Sequence, residues 1–146
     1  MKRNRVQAIV VRDDKILLIK HRMNGREFYC VPGGGVESNE TFEQAVLREL
    51  KEEACVDGTI VRKLSIQFKP DNVSEVHSFL IKINDNAEIA PGIDPELPAD
   101  KQTIIDAKWL GIPDLGEVDR AYLWAAGLHR IPYFHELLLE LPNETI

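Results

Sequence analysis

Three consecutive glycines stand shortly before an acidic segment, and this pairing constrains the fold of the chain more than any other feature. Residues 33–35 are all Gly, whereas residues 42–54 contain neither Gly nor Pro and therefore predict a helix. On that helix Glu49, Glu52 and Glu53 occupy positions i, i+3 and i+4, so they project from one side. The chain therefore brings exposed backbone close to a surface that carries three carboxylates.

The carboxylate cluster has two interpretations, which the residues alone leave open. Like charges at i and i+4 destabilise a helix by roughly 0.2–0.5 kcal/mol. The cluster is therefore either a solvated charged face or a site where a cation relieves the repulsion. Hard divalent cations such as Mg²⁺ bind carboxylate and carbonyl oxygens together with the phosphates of a substrate. The adjacent Arg48 and Lys51 neutralise the cluster only in part, which favours the cation site.

The acidic helix has a clear start signal and an apolar side. Thr41 and Gln44 fit a capping box, in which each side chain bonds to the backbone of the other residue. An apolar side chain recurs at helical spacing and is expected to face the core. The residues concerned are Val46, Leu47, Leu50 and Ala54.

Apolar runs on both sides of this helix predict an α/β fold. Residues 6–11 and 16–19 predict a β-hairpin with an acidic turn, and their near-continuous apolarity predicts strands that are covered on both faces. A glycine loop follows a short strand at 28–31. The remaining predicted elements are strands at 60–68 and 76–83, a long loop at 84–101, a returning strand at 103–110, and helices at 115–128 and 133–141.

Composition and charge are those of one globular domain and argue against one class of partner. A length of 146 residues suits a single domain (residues 1–146), and 44% hydrophobic with 29% charged residues is ordinary for a folded chain. The net charge of −6 disfavours binding to a nucleic-acid backbone, which needs clustered Lys and Arg. We therefore expect no nucleic-acid partner, whereas a small-molecule ligand that carries phosphate is compatible with this charge if a cation screens the phosphates.

Cysteine usage and hydropathy predict a cytoplasmic chain without a membrane partner. Cys30 and Cys55 form no CxxC pair, which is typical of a reduced chain. The first apolar run is interrupted by charged residues at 12–14, so it is too short for a signal peptide. No run of about 18 apolar residues predicts a membrane span.

The segment that begins at Gly34 resembles the Nudix box. That pattern is a Gly, five residues, a Glu, seven residues, and then Arg-Glu-aliphatic-x-Glu-Glu-x-Gly-aliphatic. Here Gly34 is followed after five residues by Glu40, and residues 48–56 read RELKEEACV. The chain therefore resembles the Nudix (MutT-like) hydrolase family, which implies an α/β/α sandwich around a mixed β-sheet.

Two positions depart from the family pattern. Asn39 replaces the usual Gly before the first box Glu, and Asn tolerates the left-handed conformation. Cys55 replaces the Gly near the end of the box, where Gly normally provides a left-handed helix cap. The second departure leaves open how the helix ends.

The resemblance implies metal-dependent hydrolysis of a diphosphate linkage in a nucleoside diphosphate joined to a moiety X. The implied cofactor is Mg²⁺ or Mn²⁺, which would activate the attacking water and neutralise charge on the leaving phosphate. The implied site residues are Gly33 through its carbonyl and Glu49, Glu52 and Glu53 as metal ligands, Arg48 as the group that orients a carboxylate, and Glu37 and Glu40 as partners of those ligands.

The general base and the substrate contacts are less defined. The base is either a Glu of the box or an acid of the later loop, where the candidates are Asp94, Glu96 and Asp100. The candidate substrate contacts are Arg22, Arg26 and Phe28, for which an exposed hairpin turn and core packing are the ordinary alternatives.

The alternative function is a nucleotide-sensing binding module of the same fold without catalysis. Loss of box carboxylates would favour such a module, and none is lost here. The identity of X, the number of metal ions and the formation of a homodimer are left open.

Overall fold

The computed structural model describes residues 3–135. The strands and α-helices that lie wholly within these residues are β1 (Arg5–Arg12), β2 (Lys15–Met23), β3 (Arg26–Cys30), β4 (Gly33–Gly35), α1 (Phe42–Ala54), β5 (Gly58–Phe68), β6 (Glu75–Ile83), β7 (Ile104–Leu110) and α2 (Glu117–Ala125). Short 3₁₀ helices lie at Ala99–Lys101, Ile112–Asp114 and Leu128–Arg130. No helix in this part of the chain is long and apolar enough to cross a membrane.

The strands form one mixed sheet in the order β3-β2-β1-β6-β5. β1 runs parallel to β6 and antiparallel to β2, while β4 pairs with β1 and β7 with β2. The β1–β2 hairpin turns at Asp13 and Asp14, whose φ angles of 52° and 64° are those that a tight two-residue hairpin requires. The predicted hairpin with an acidic turn is confirmed.

Helices cover both faces of the sheet, which confirms the predicted α/β class with a mixed sheet. Successive side chains of a strand point to opposite faces. Ala8 and Val10 of β1 therefore share a buried cluster with Leu50 of α1. Ile9, between them, shares the opposite cluster with Leu123 of α2. This alternation explains why the strand is apolar at nearly every position.

The structure corrects two elements that the sequence predicted. The glycine run is not a loop, because it forms the short strand β4 against β1. The helix predicted over residues 115–128 is shorter, since α2 spans Glu117–Ala125 and Gly127 follows with a φ of 112°. Of the helix predicted over residues 133–141, residues 136–141 lie outside the described residues.

Helix α1 ends in a left-handed cap even though Cys replaces Gly there. Cys55 has φ 62° and ψ 27°, and its N–H donates to the Lys51 carbonyl at 3.1 Å. Asn39 also lies in the left-handed region, with a φ of 68°. Both departures from the box therefore keep the backbone conformation that Gly normally provides, at a cost of about 1 kcal/mol for the Cβ of Cys55.

Candidate active site

A cleft of about 440 Å³ lies between the glycine strand, α1 and the long loop before β7. Nine of the predicted site residues line it, and further side chains come from β1, β2, β3 and α2 and from the residues just before β1 and β7. The nine are Phe28, Gly33, Glu37, Arg48, Glu49, Glu52, Glu53, Asp94 and Glu96.

The glycines of β4 allow this strand to approach its neighbours more closely than other residues would. A Cβ on Gly33 would overlap the backbone carbonyl of Val6, and a Cβ on Gly34 would overlap the carboxylate of Glu49. None of the three glycines has a positive φ. Their role is therefore to leave space, so that the strand lies directly against the acidic side of α1.

Backbone groups of β4 reach the helix because alternate residues of the strand do not bond to β1. The Gly33 N–H donates to Glu53 Oε1 at 2.7 Å, and the Gly35 carbonyl accepts from Arg48 Nη2 at 2.9 Å. The N–H and C=O of such a strand residue point to the same side. The Gly33 carbonyl, the predicted metal ligand, therefore also faces α1.

Arg48 is the centre of the ion-pair network beside the cleft. Its Nε and Nη2 donate to the two oxygens of Glu40 at 2.7 and 3.0 Å. Its Nη1 lies 3.0 Å from Glu49 Oε1 and 3.2 Å from Glu52 Oε2. One guanidinium thus holds three carboxylates, as a planar group with five donors can.

Glu40 and Glu37 contact Arg48 rather than the cluster itself. The hydrogen bond from Arg48 lowers the pKa of Glu40 despite partial burial. Glu37 Oε1 lies 3.9 Å from Arg48 Nη1, and the Glu37 N–H donates to Glu40 Oε1 at 3.0 Å. Both acids therefore help to hold Arg48 in place.

Two of the clustered carboxylates are held in surroundings that oppose their charge. Burial raises the pKa of Glu49 to about 7, and the charges of Glu52 and Asp94 add to the rise. Burial also raises the pKa of Glu53 to about 7, although the N–H of Gly33 opposes the rise. A cation at this place would reverse both shifts, since a nearby positive charge favours the ionised form.

The carboxylate oxygens of Glu49, Glu52 and Glu53 are suitable ligands for a hard divalent cation, but in this structure they do not point to a common centre. No three His, Cys, Asp or Glu side chains among residues 3–135 surround a point as a bound metal requires. The reason is local, because Arg48 holds Glu49 and Glu52 while Gly33 holds Glu53. The oxygen atoms of these carboxylates are nevertheless the type of ligand that Mg²⁺ and Mn²⁺ prefer.

The long loop is fixed to the end of α1 before it reaches the cleft. The Ala90 N–H donates to the Ala54 carbonyl at 3.1 Å, and the Gly92 N–H donates to the Glu53 carbonyl at 2.9 Å. A Cβ on Gly92 would overlap the carbonyl oxygen of Glu52. The absence of a side chain at this position therefore permits the loop to dock on the helix.

Beyond this docking point, Gln102 holds the acidic part of the loop in place. Its side-chain amide accepts from the Asp94 N–H at 2.7 Å, and donates to the carbonyls of Asp94 and Leu97 at 2.7 and 2.8 Å. Asp94 and Glu96 consequently line the cleft, whereas Asp100 is exposed in a 3₁₀ helix and does not.

The three candidate substrate contacts differ in position. Phe28 lines the cleft and stacks on His21, with ring centroids 5.4 Å apart. Arg22 does not line the cleft, and its guanidinium lies 3.4 Å from Glu27. Arg26 lines a separate shallow depression at the tip of the β2–β3 hairpin. The structure thus brings only Phe28 to the carboxylate cluster.

Several cleft residues were not predicted from the sequence, and all of them except Cys30 are distant from the box along the chain. They are Arg3, Arg5, Gln7, His21, Met23, Cys30, Thr103 and Tyr122. One signal was present, because Gln7 is a polar residue inside an otherwise apolar strand. The others carry no local pattern that separates them from ordinary surface residues.

Comparison with known proteins gives matches over most of the chain. Residues 1–130 match the model of the NUDIX domain. The ADP-ribose pyrophosphatase of Methanocaldococcus jannaschii is 34% identical over 116 residues, which cover 68% of this chain and 69% of that protein. The NAD-capped RNA hydrolase NudC of Klebsiella pneumoniae is 35% identical over 71% of this chain, which spans only 37% of that longer protein.

Solved structures agree on the fold. The C. elegans Ap4A hydrolase in a binary complex superposes with a TM-score of 0.67 at 19% identity, and the match covers 91% of this chain and 98% of that one. At this level of identity the likeness concerns the arrangement of the sheet and helices.

Proposed function

The chain belongs to the NUDIX family, and we propose that it hydrolyses a diphosphate linkage in a nucleoside diphosphate joined to a second moiety. Membership makes it a Nudix pyrophosphohydrolase. The observation that carries the proposal is that one cleft brings together three carboxylates of α1, of which Glu49 and Glu53 are partly buried and have pKa values raised to about 7. We also propose that residues 1–146 act as one domain.

We propose that the carboxylates of Glu49, Glu52 and Glu53 and the carbonyl of Gly33 hold the divalent cation, Mg²⁺ or Mn²⁺. When bound, the cation would supply positive charge to the phosphate oxygens and acidify the attacking water. Arg48 then orients the carboxylates, with Glu37 and Glu40 holding its guanidinium. Supporting this assignment, every one of these residues except Glu40 lines the same cleft.

In the proposed reaction, water attacks one phosphorus of the diphosphate and the bond from that phosphorus to the bridging oxygen breaks. The proton of the water passes to a carboxylate that acts as the general base, and we propose that this carboxylate is Asp94. It lines the cleft, and its charge contributes to the raised pKa values of Glu49 and Glu53. Gln102 holds its backbone in place from both sides.

The assignment of Asp94 predicts a large effect that a neighbouring acid does not share. Asp94→Asn is expected to lower kcat by about 100-fold, the lower range for loss of a general base. Asp100→Asn, a control in the same loop outside the cleft, is expected to retain the activity of the wild type. Steady-state kinetics of both variants give the comparison. Equal activity of the two variants would contradict this assignment and leave Glu96 or a glutamate of α1 as the base.

The relatives suggest which substrates to test first. One relative is named an ADP-ribose pyrophosphatase and another an NAD-capped RNA hydrolase. Both substrates contain a nucleoside diphosphate joined through its second phosphate to a sugar. ADP-ribose is our first candidate, because the net charge of −6 disfavours a long nucleic acid. A short NAD-capped RNA belongs in the same test.

The test of the proposed function is product analysis with Mg²⁺. We expect ADP-ribose to be converted to AMP and ribose 5-phosphate, and this turnover to disappear when EDTA removes the cation. NADH, dinucleoside polyphosphates, nucleotide sugars, dNTPs and the capped RNA complete the panel. Turnover at the same rate in EDTA would contradict the cation-dependent mechanism. Saturable binding without turnover of any of these compounds would instead indicate the nucleotide-sensing module.

A further inference from the structure

A series of hydrogen-bonded polar side chains runs from β6 through β1 to Tyr122 of α2. Gln7 of β1 and Ser78 of β6 are direct neighbours in the parallel strand pair. The Ser78 hydroxyl, fully buried, donates to Gln7 Oε1 at 2.9 Å. Gln7 Nε2 in turn donates to the Tyr122 hydroxyl oxygen at 2.5 Å. Three elements are thereby joined at the floor of the cleft.

The direction of these hydrogen bonds leaves the proton of the Tyr122 hydroxyl available. A buried serine that donates to the amide oxygen of Gln7 fixes the amide with its nitrogen toward Tyr122. The Tyr122 oxygen therefore acts as an acceptor on its inner side, and its O–H points elsewhere. Although 38% of Tyr122 is exposed, partial desolvation of the hydroxyl raises its pKa to about 12. The group stays protonated, so it is a permanent donor.

Arg5 stands on the same side of the cleft and supplies positive charge there. Its side chain points to the same face of β1 as Gln7, two residues further on, because the strand alternates. No carboxylate among residues 3–135 forms an ion pair with Arg5, in contrast to Arg48, which pairs with several. Its charge reaches Tyr122, where it partly opposes the rise in pKa that burial causes.

The cleft thus contains two chemically different sets of groups. One set is the three carboxylates with Arg48, and the other is Arg5, the exposed Arg3 and the Tyr122 hydroxyl, whose raised pKa also reflects the charge of Glu53. A ligand that contacts both sets needs a part that binds a cation and a part that accepts hydrogen bonds and carries negative charge. A diphosphate has both, since one phosphate can share the cation while the next offers free anionic oxygens.

We infer that Arg5 and Tyr122 bind the phosphate of the substrate that lies away from the carboxylate cluster, with Gln7 and Ser78 orienting Tyr122. The inference rests on the proposed function. It assigns to Arg5 and Tyr122 the preference for a substrate that carries a second phosphate beside them. Arg5 and Tyr122 are binding residues, and Gln7 and Ser78 are positioning residues that act through Tyr122.

Two variants test the inference by binding, independently of turnover. The probe is α,β-methylene ADP-ribose, whose bridging carbon resists hydrolysis, with affinity measured by titration calorimetry in the presence of Mg²⁺. Tyr122→Phe removes only the hydroxyl and is expected to weaken binding by roughly 10-fold, as is usual for one hydrogen bond to a charged group. Arg5→Gln is expected to weaken binding by roughly 10-fold or more.

The two variants differ in salt dependence, which separates a direct ionic contact from a structural effect. In the wild type and in Tyr122→Phe, added KCl should weaken binding, because screening reduces the attraction between Arg5 and the phosphate. In Arg5→Gln most of that dependence should be lost. If ADP-ribose is hydrolysed, both variants should raise KM and leave kcat nearly unchanged, as expected when an interaction is equal in the ground and transition states.

Matched controls lie outside the cleft. Tyr133→Phe removes a hydroxyl from an exposed tyrosine, and Lys15→Gln removes one positive charge from an exposed residue at the start of β2. Both are expected to bind the probe as the wild type does. Melting temperatures of all variants show whether each is folded, and Arg5 is exposed, so its variant is expected to fold.

The outcomes separate this inference from the proposed function. Weakened binding in both variants supports it even when the wild type hydrolyses none of the tested compounds, in which case the proposed reaction alone fails. Wild-type affinity in Tyr122→Phe and Arg5→Gln, or no saturable binding to the wild type, overturns it.

Discussion

Glu53→Gln is expected to lower kcat by about 100- to 1,000-fold while the protein remains folded. Glutamine keeps the length of the side chain, and its amide oxygen can still accept the hydrogen bond that Gly33 donates to Glu53 Oε1. The proposed cation, however, loses a charged ligand. Loss of one preorganised electrostatic group in an active site typically has this magnitude. Steady-state kinetics with saturating Mg²⁺ measure the effect.

The same substitution is expected to stabilise the protein when no cation is present. Burial raises the pKa of Glu53 from 4.5 to about 7, so the native state binds a proton more tightly than the unfolded state. Stability is therefore lost as pH rises from about 4.5 through 7 and the carboxylate ionises. Glu53→Gln removes this loss, so in EDTA at pH 8 the variant should melt at a higher temperature than the wild type.

Addition of Mg²⁺ should reverse that order. A ligand that binds only the native state raises the melting temperature by mass action, so the wild type should gain stability and the variant should lose most of that gain. Glu43→Gln, an exposed position in the first turn of the same helix, is the control and should respond to Mg²⁺ as the wild type does. An unchanged Mg²⁺ response in Glu53→Gln, together with normal activity, would assign Glu53 to a solvated charged face.

Arg48→Met should cost about 3 kcal/mol in the free energy of unfolding and about 100-fold in activity. Methionine fills a similar volume but leaves Glu40 and Glu49 without their cation, and each of these side chains is only 13% exposed. Removal of one partner from a largely buried ion pair typically costs about 3–5 kcal/mol. Activity falls because misplaced ligands reduce rates by about 100-fold. Urea denaturation at pH 7.5 and kinetics measure the two losses.

A second ion pair on the same helix provides the control. Lys51 Nζ lies 3.4 Å from Asp57 Oδ2, and the two side chains are 57% and 88% exposed. Because such surface pairs contribute at most about 1 kcal/mol, Lys51→Met should have little effect on stability or turnover. Equal losses in Lys51→Met and Arg48→Met would show that the network around Arg48 has no special role.

The stability difference between wild type and Arg48→Met should also depend on pH. The hydrogen bond from Arg48 lowers the pKa of Glu40 below 4.5. A carboxyl whose pKa is lowered by folding stabilises the native state above its unfolded pKa, and this contribution is lost as pH falls through the folded value. The difference between the two proteins should therefore shrink below about pH 4.5.

The positions of α1 and its acidic face could be predicted from the sequence because both depend on local rules. The observed helix, Phe42–Ala54, begins at the predicted capping box of Thr41 and Gln44. Helical spacing alone places Glu49, Glu52 and Glu53 on one side. The near-continuous apolarity of β1 likewise predicted a strand covered on both faces, as the structure shows. For the helix the responsible interactions lie within a few residues, and for the strand the composition of the segment itself carries the signal.

Tertiary structure alone decided what faces those carboxylates. The glycine run forms a strand against β1 because Gly33 leaves room for the backbone of Val6 and Gly34 leaves room for the carboxylate of Glu49. Val6 lies on β1 and Glu49 on α1, so neither neighbour follows from the sequence around the glycines. Gln7 and Tyr122 meet across 115 residues, and this contact requires β1 and α2 to pack on the same face of the sheet. The helix and strand propensities of single residues carry no information on such contacts. The contacts follow from the order of the strands in the sheet and from the packing of helices on both of its faces.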